Sequence, residues 1–472
     1  MALARGATAG PHHRSDVASL AASIVGTVIR PGDDAFEEAR RGHNRRFDRR
    51  PELIVKPANT VDVARSVAYA RARGLDIAVR GGSHSVAGHS SVDGGIVIDL
   101  SDLTGLHIDA DRRLAWAGAG LTAGEVTRAA AAHGLAIPFG DNGHVGISGL
   151  TLGGGIGWLA RKHGLTIDSL VSVDLVTADG RILTASESQH ADLFWAIRGG
   201  GGNFGIVTRF QYRLHPVGTV LGGALFLPAT RDVLRGLVPL AASAPEQLTT
   251  ITYVMAAPPA PFIPAEMQGT TTAAVMFVYA GDPADGEAVI APFRALATPL
   301  AEVVAPMPYP DIYAFTEEGD TPGPWVTRSA FVDVLDDSTV DAILAGHSAP
   351  SSPYLMTEVR VLGGAMARVA PDATAFAHRS AAIMLAVINP FDDPAQAPIH
   401  EAWTAAYFDA IAARSVGVYS NFLEDEGDAR IRDAYPVETY RRLAQVKRRY
   451  DPTNLFHLNQ NIRPAVLGPE LR

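Results

Sequence analysis

Three glycine clusters restrict the fold of this chain more than any other feature of its sequence. They lie at residues 81–82, 146–157 and 199–202. Consecutive glycines let the backbone turn tightly and point successive N–H groups at an anion. Three glycines in a row inside an apolar stretch, as at 153–155, destabilise helix and strand alike, so a flat ligand or another backbone is expected close by. Each cluster taken alone is also compatible with an ordinary glycine turn.

The third cluster formally contains a dinucleotide-binding fingerprint, G-x-G-x-x-G, at Gly200, Gly202 and Gly205. The segment before it, 192–198, predicts a helix, and the segment after it, 206–214, predicts a strand. A Rossmann turn requires the opposite order, because the phosphates bind at the N-terminus of the helix that follows the turn. The Rossmann interpretation is therefore rejected.

The motifs of several other chemistries are missing from the sequence. The chain has no G-x-x-x-x-G-K-[ST] loop, no G-x-S-x-G elbow and no H-E-x-x-H helix. These absences argue against a P-loop NTPase, an α/β-hydrolase and a zinc protease. His84 and His89 are five residues apart without a neighbouring acidic residue, so no metal site is predicted. Two glycine clusters that can bind an anion, in a chain without these motifs, indicate a cofactor that carries phosphates.

Composition narrows the class of protein further. Cysteine is absent from the 472 residues, which excludes disulfides, thiol nucleophiles and iron–sulfur clusters. The net charge of −10 argues against nucleic acid or an anionic membrane as a partner. No apolar run is long enough to span a bilayer, and the N-terminus has no signal-like apolar segment. A cytoplasmic location is therefore expected.

The order of predicted elements indicates a mixed α and β chain with more than one domain. Before residue 216, strands are predicted at 75–80, 95–100, 113–120, 170–180 and 205–214. Helices predicted at 61–74 and 122–134 lie between them and end at glycine. From about 216 to 400, glycine becomes rarer and proline more frequent, which predicts a second domain.

Taken together and in this order, these segments resemble the vanillyl-alcohol-oxidase-type FAD-linked oxidases, and most closely their berberine-bridge-enzyme-like branch. The matching segments are 79–101, 146–170, 191–210 and 448–462. The resemblance implies an α+β fold with a two-lobed PCMH-type FAD-binding domain formed by 1–216 and 405–472. A substrate domain, an antiparallel sheet backed by helices, would be inserted at 217–404.

The resemblance also implies where FAD binds. His84 is expected to carry the 8α-methyl group of the flavin covalently. The implied pyrophosphate cradle consists of Arg80, Gly81, Gly82, Ser83, His84 and Ser85. Further FAD contacts are implied for His144, Val145, Gly146, Gly149, Gly153, Gly154, Gly205, Val207, Tyr419 and Asn421. Many relatives add a second link from a cysteine, and Asn142 stands at that position here, so a monocovalent flavin is expected.

Glu358 is the first candidate for the catalytic base. In the predicted strand 355–363, alternation places Glu358, Arg360 and Leu362 on one face. In similar proteins this strand covers the flavin ring. A partly desolvated Glu358 would have a raised pKa and would accept a substrate proton. The alternative is an ion pair between Glu358 and Arg360 at the surface.

Tyr419 is the second candidate for the base. Residues 419–422 match a Tyr-x-Asn-(Phe/Tyr) motif of the family, whose tyrosine is a proton acceptor in some members and whose asparagine contacts the flavin. The alternative is an ordinary tyrosine of the core. Tyr253 and Trp158 are pocket candidates as well, although aromatic residues in apolar runs usually serve packing.

The implied function is the oxidation of a small organic molecule, which is an alcohol, a sugar or an amine. Hydride would pass from a substrate C–H bond to flavin N5, and O2 would become H2O2. Val145 aligns with a position where a small residue admits oxygen in similar proteins, which favours an oxidase over a dehydrogenase. Oxidative cyclisation or rearrangement of a natural product, and flavin binding without turnover, are the alternatives. The substrate and the oligomeric state stay open.

Overall fold

The computed structural model describes residues 11–317 and 320–466, with side chains from residue 17 onward. Its α-helices are Pro11–Ser23, Phe36–Ala39, Thr60–Arg73, Ala123–Ala131, Ile147–Gly153, Ala160–His163, Ala191–Ile197, Arg231–Ser243, Pro283–Arg294, Ala314–Glu317, Asp337–Ser348, Ala365–Arg368, Ala397–Ile411, Asp428–Ala434 and Val437–Tyr450. The strands form three larger sheets and a two-stranded ribbon of Leu135–Ala136 and His215–Pro216.

The first lobe is a four-stranded sheet. Its strands in spatial order are Thr27–Ile29, Leu53–Lys56, Ile96–Asp99 and Ile77–Arg80. The last three are parallel to one another, and parallel strands are covered on both faces, which suits their continuous apolar sequences. Helix Thr60–Arg73 begins at Asn59, whose side chain accepts a hydrogen bond from the Asp62 N–H, and ends at Gly74 with φ of 64°. The first glycine cluster directly follows the last of these strands.

The second lobe is a five-stranded antiparallel sheet. Its strands in spatial order are Leu106–Asp109, Leu114–Gly118, Ile206–Arg213, Leu170–Val176 and Ile182–Ser186. Helix Ala191–Ile197 precedes the third glycine cluster and strand Ile206–Arg213 follows it. This helix-then-strand order confirms the rejection of a Rossmann turn.

The inserted part of the chain forms a seven-stranded sheet in which every neighbouring pair is antiparallel. Its strands in spatial order are Ala301–Pro308, Thr219–Pro228, Thr271–Tyr279, Leu248–Ala256, Met356–Val361, Ile383–Pro390 and Trp325–Val332. Side chains of four helices, Arg231–Ser243, Pro283–Arg294, Asp337–Ser348 and Ala397–Ile411, join the apolar core of this sheet. The alternate residues of the strands, Tyr253 among them, face away from that core.

The C-terminal part of the chain returns to the two lobes. Helix Val437–Tyr450 buries Leu443 and Val446 in the same apolar core as both sheets of the lobes. The helix ends at Tyr450, with Asp451 as its C-cap, directly before Pro452. The α+β fold class is confirmed. The domain limits at 216/217 and 404/405 stay predictions, and their outer ends, 1–10 and 467–472, lie outside the described residues. No described helix has the length and apolarity to cross a bilayer.

Candidate active site

A cavity of about 1440 Å³ is lined by the two lobes, the inserted sheet and the C-terminal segment. We call the backbone-rich segments 81–86, 145–149 and 201–207 the glycine wall. We call the following sheet residues, which line the cavity, the sheet wall: Tyr253, Met255, Ala256, Met276, Met356, Glu358, Ile388 and Pro390. Pockets for drug-sized ligands usually measure about 300–1,000 Å³, so this cavity has room for a dinucleotide together with a small substrate.

The glycine wall depends on close contact between two loops. A Cβ atom added to Gly82 would overlap the backbone N and Cα of Gly146, and one added to Gly146 would overlap Gly82. Real Cβ atoms cannot approach backbone that closely, so both positions require glycine. The first two glycine clusters are therefore brought together, as close backbone approach predicts.

His84 lies on the glycine wall directly after Ser83, whose φ of 66° is uncommon for a residue other than glycine. The His84 ring stacks on the His43 ring with 4.1 Å between centroids and an interplanar angle of 25°. Desolvation, and secondly the nearby His43, lower the pKa of His84 to about 4. At neutral pH the imidazole is therefore uncharged and keeps a lone pair for bond formation.

Asp320 connects the histidine pair to the Asn142 loop. Its Oδ1 lies 2.8 Å from His43 Nε2, and its Oδ2 accepts a 2.8 Å hydrogen bond from Asn142 Nδ2. His144 Nδ1 lies 3.3 Å from the same Oδ2. Donor atoms of His43, His84 and Asp320 lie within 4.8 Å of one another, close enough for one metal ion. Ring stacking and hydrogen bonding account for this arrangement without one.

Glu358 on the sheet wall belongs to a buried charge network. Its side chain is 1% exposed, and its Oε1 accepts a 2.7 Å hydrogen bond from Arg360 Nε. Arg360 Nη2 also lies 3.1 Å from Asp141 Oδ2, and Arg360 Nη1 donates to the Ile156 carbonyl at 3.0 Å. Tyr253, opposite Glu358 in the strand register, hydrogen-bonds the carboxylate. Burial raises the pKa of Glu358, and the Arg360 charge opposes that rise.

Tyr419 lies where the C-terminal segment meets the second glycine cluster. Its hydroxyl oxygen accepts hydrogen bonds from the Gly155 N–H and from Asn421 Nδ2, both at 2.9 Å. Asn421 Nδ2 also donates to the Leu150 carbonyl at 3.1 Å. Burial raises the pKa of Tyr419, so its phenol stays protonated at neutral pH.

The third glycine cluster is fixed by a buried lysine. Lys447 Nζ donates to the carbonyls of Asn203 and Phe456, both at 2.7 Å, and lies 2.8 Å from Asp451 Oδ2. Both charged side chains are 0% exposed. The Asn203 side chain in turn donates to the Gly200 carbonyl at 2.9 Å. The C-terminal helix therefore determines the shape of this part of the glycine wall.

The lining of the cavity fits a cofactor that hydrogen-bonds to it. Three lining side-chain atoms are closed to solvent and have no hydrogen-bond partner among the described residues: Ser83 Oγ, His89 Nε2 and Asn459 Oδ1. Unpaired buried polar atoms are rare in folded proteins. The polar edges and phosphates of FAD would supply the missing partners.

Most of the residues expected from the sequence line this cavity. They are Gly81, Gly82, Ser83, His84, Ser85, Val145, Gly146, Gly149, Gly205, Val207, Glu358, Tyr419 and Asn421. Four others lie outside the lining: Arg80, His144, Gly153 and Gly154. Arg80 faces Asp99 at 3.5 Å and donates to the Ser90 carbonyl at 3.1 Å, so its charge is used within the protein. The roles of the residues in both groups toward FAD stay predictions.

Sequence reasoning missed several cavity residues. His43, Asp141 and Asp320 line the cavity but belong to no local motif, because their partners are distant in the chain. Of the two aromatic candidates, Tyr253 lines the cavity, whereas Trp158 is 0% exposed and packs in the core. Glu358 and Arg360 do form an ion pair, but a buried one.

Comparison with known proteins agrees with this geometry. Residues 51–186 match the family described as FAD binding domain, and residues 418–463 match the family described as berberine and berberine like. The chain is 31% identical over 460 residues to (R)-6-hydroxynicotine oxidase of Paenarthrobacter nicotinovorans, which covers 94% of this chain and 97% of that protein.

Solved structures share the fold. The structure of 6-hydroxy-D-nicotine oxidase from Arthrobacter nicotinovorans has a TM-score of 0.85 at 28% identity, covering 94% of this chain and 98% of that one. Glucooligosaccharide oxidase from Acremonium strictum, which contains 6-S-cysteinyl, 8α-N1-histidyl FAD, has a TM-score of 0.84 at 23% identity. That match covers 96% of this chain and 100% of the other.

Fold and cavity together define a flavin-dependent oxidoreductase. The chain belongs to the PCMH-type FAD-linked oxidoreductases, in their berberine-bridge-enzyme-like branch. The family, the fold class and FAD as the cofactor, all predicted from the sequence, are confirmed.

Proposed function

We propose that this protein is an oxidase that removes hydride from a C–H bond of a small organic molecule, with FAD attached covalently to His84. One observation carries the proposal: a single cavity has an uncharged histidine on its glycine wall and a buried carboxylate on its sheet wall. When bound, FAD accepts hydride at N5 and passes the electrons to O2, which becomes H2O2.

The chain's own residues would manage the substrate proton. Glu358 is held by Arg360 and Tyr253, and its raised pKa makes it a stronger base than an exposed glutamate. Tyr419 is the weaker candidate, because its phenol is protonated at neutral pH and its oxygen already accepts two hydrogen bonds. We assign proton transfer to Glu358 and the orientation of Asn421 to Tyr419.

A single covalent link is supported by the residues around His84. The relative that holds FAD through two links uses a cysteine for one of them, and this chain contains no cysteine. Asn142, where the resemblance places that cysteine, instead hydrogen-bonds Asp320. His84 is thus the proposed attachment point.

Acid denaturation tests the attachment without any substrate. Flavin absorbance should stay with the precipitated wild-type protein and should be lost from a His84→Ala variant. His133→Ala is the matched control, since His133 is exposed and lies outside the cavity lining. Colour retained in the His84→Ala precipitate would contradict the link.

Reaction with oxygen tests the oxidase assignment, also without substrate. The flavin is reduced chemically in the absence of air and then mixed with oxygenated buffer. An oxidase should return to the oxidised spectrum within seconds and release one H2O2 per flavin. Reoxidation over many minutes would instead indicate a dehydrogenase.

A further inference from the structure

Apart from three histidines, His43, His84 and His89, the charged side chains that line the cavity are all acidic. Among residues 11–317 and 320–466 they are Asp141, Asp320, Glu358 and Asp392, and no lysine or arginine lines the cavity. Desolvation lowers the pKa of His84 and of His89 to about 4, so these two lining histidines are uncharged at neutral pH. The cavity therefore offers no lysine or arginine to hold a substrate carboxylate.

Two arginines beside the cavity are directed at protein partners. Arg80 is 4% exposed and faces Asp99 and backbone carbonyls. Arg360 is 1% exposed and lies between Asp141 and Glu358. Neither guanidinium is presented to a molecule in the cavity.

The network on the sheet wall has an excess of negative charge. One guanidinium, Arg360, is shared by two carboxylates, Asp141 and Glu358, so the three groups carry one net negative charge when both acids are ionised. Away from bulk water this charge acts more strongly on a ligand than it would at the surface. It favours a bound cation and disfavours a bound anion.

The remaining side chains that the sheet wall presents are largely apolar. Met255, Met276, Met356 and Ile388 line it, and methionine adapts its shape to irregular apolar ligands. A sugar would bury hydroxyl groups against these side chains without hydrogen-bond partners, which weakens binding. An apolar body is therefore the better match.

We infer that the substrate is a small amine with an apolar body, bound as its cation next to Glu358. The inference rests on the proposed function and selects one of the three substrate classes, alcohol, sugar and amine, that the sequence leaves open. Two aromatic residues, Tyr253 and Trp325, also line the cavity, and aromatic rings attract organic cations.

The oxidation of such an amine uses Glu358 twice, first as the acceptor and then as the donor of the same proton. The bound ammonium group gives one proton to the Glu358 carboxylate. A hydride then leaves the C–H bond next to nitrogen, and the nitrogen lone pair forms a C=N bond, so the product is an iminium cation. O2, the oxidant, receives the two hydride electrons and two protons, one from the hydride itself and one returned by Glu358, and becomes H2O2. Water hydrolyses the iminium ion to a carbonyl compound and an amine.

Three probes of similar size test the charge preference on the flavin-loaded protein. They are trimethylphenylammonium, its neutral isostere tert-butylbenzene, and benzoate, with dissociation constants measured from changes in the flavin absorption spectrum. The cation should bind about tenfold or more tightly than the isostere, a factor that corresponds to about 1.4 kcal/mol. Benzoate should bind most weakly.

A pair of variants assigns the preference to the sheet wall. Glu358→Gln should lower the affinity for the cation about tenfold and leave tert-butylbenzene unchanged. Glu438→Gln, a carboxylate on the exposed face of the C-terminal helix, should change neither. If Glu358→Gln does not retain flavin, the comparison of the three probes on the wild-type protein still tests the preference for a cation.

Benzoate binding as tightly as trimethylphenylammonium would overturn the inference, and so would equal affinity for the cation and its isostere. No spectral response to the cation would also overturn it. These outcomes leave the proposed oxidase intact, because acid-stable flavin and reoxidation by O2 are measured without a substrate. Failure of those two tests would instead overturn the proposed function.

Discussion

The glycine wall is formed by backbone, whereas the sheet wall is formed by side chains. On the glycine wall, Gly82 and Gly146 approach so closely that neither has space for a Cβ atom. On the sheet wall, Tyr253 and Glu358 extend from strands whose backbone groups pair with neighbouring strands. A contact between backbones tolerates few substitutions, but a side chain on a sheet can change without moving the sheet.

This difference separates the binding of the cofactor from the choice of substrate. The same fold is found in a hydroxynicotine oxidase and in a glucooligosaccharide oxidase. Because a side chain can change without moving the sheet, the side chains of the sheet wall are the expected place of variation. Substitutions on the glycine wall should therefore reduce flavin content, and substitutions on the sheet wall should change the reaction of the substrate.

The largest effect is expected from Gly82→Ala on the glycine wall. The added methyl group would overlap the backbone of Gly146, so the two loops must separate and the FAD site is lost. Flavin content per protein and thermal unfolding should both fall strongly. Gly105→Ala is the control, because Gly105 is exposed and an added Cβ meets no atom within 4 Å.

Gly149→Ala makes this first test sharper. Gly149 lines the cavity, and its added Cβ also meets no protein atom within 4 Å, so the fold should be kept. Alanine even favours the helix relative to glycine by up to about 1 kcal/mol. Lower flavin content with unchanged thermal unfolding would place FAD against this residue, and unchanged flavin content would contradict that contact.

Glu358→Gln on the sheet wall should lower the rate of flavin reduction and leave the flavin bound. General base catalysis typically contributes a factor of about 10²–10⁴, which is the expected loss in stopped-flow measurements with a true substrate. Tyr419→Phe serves as the comparison and should lower the rate less. The reverse order of the two variants would assign the base to Tyr419.

Glu358 should also set the pH dependence of the rate of flavin reduction. Burial raises the pKa of Glu358, and the carboxylate accepts a proton only when ionised. The rate should therefore fall as pH decreases through a pKa above the ordinary glutamate value of about 4.3. This acidic limb should disappear in Glu358→Gln, and its persistence there would contradict the assignment.

Lys447→Met should act on the stability of the fold rather than on the rate of flavin reduction. Asp451 would keep a buried charge without its partner. The free energy of unfolding is therefore expected to fall by about 3–5 kcal/mol. Arg441→Met is the control, since Arg441 pairs with Glu438 on the surface and should change stability by about 0.5 kcal/mol or less. Denaturant unfolding measures both. Equal effects would show that the buried pair does not stabilise the fold.

Much of the glycine wall was predictable, because its close backbone contacts require glycine at neighbouring positions, and such positions are visible in the sequence. Gly81, Gly82, Gly146 and Gly205 line the cavity as expected. Arg80 shows the limit of such reasoning: a strand-end arginine has the same sequence whether its guanidinium faces a phosphate or, as here, Asp99.

The sheet wall was predictable only in part. Strand alternation gives Glu358 and Arg360 a common face, and the structure has them paired. Strand alternation does not reveal Asp141 as the second partner of Arg360, because that contact depends on how two distant segments fold together. His43 and Asp320 were missed for the same reason.

The buried Lys447 has a consequence for the order in which the protein is made. The strands of the two lobes are synthesised first, but the Asn203 carbonyl gains its ammonium partner only after Lys447, in helix Val437–Tyr450, has emerged from the ribosome. Until then the third glycine cluster lacks its anchor. Loading of FAD is therefore expected only after helix Val437–Tyr450 has been synthesised.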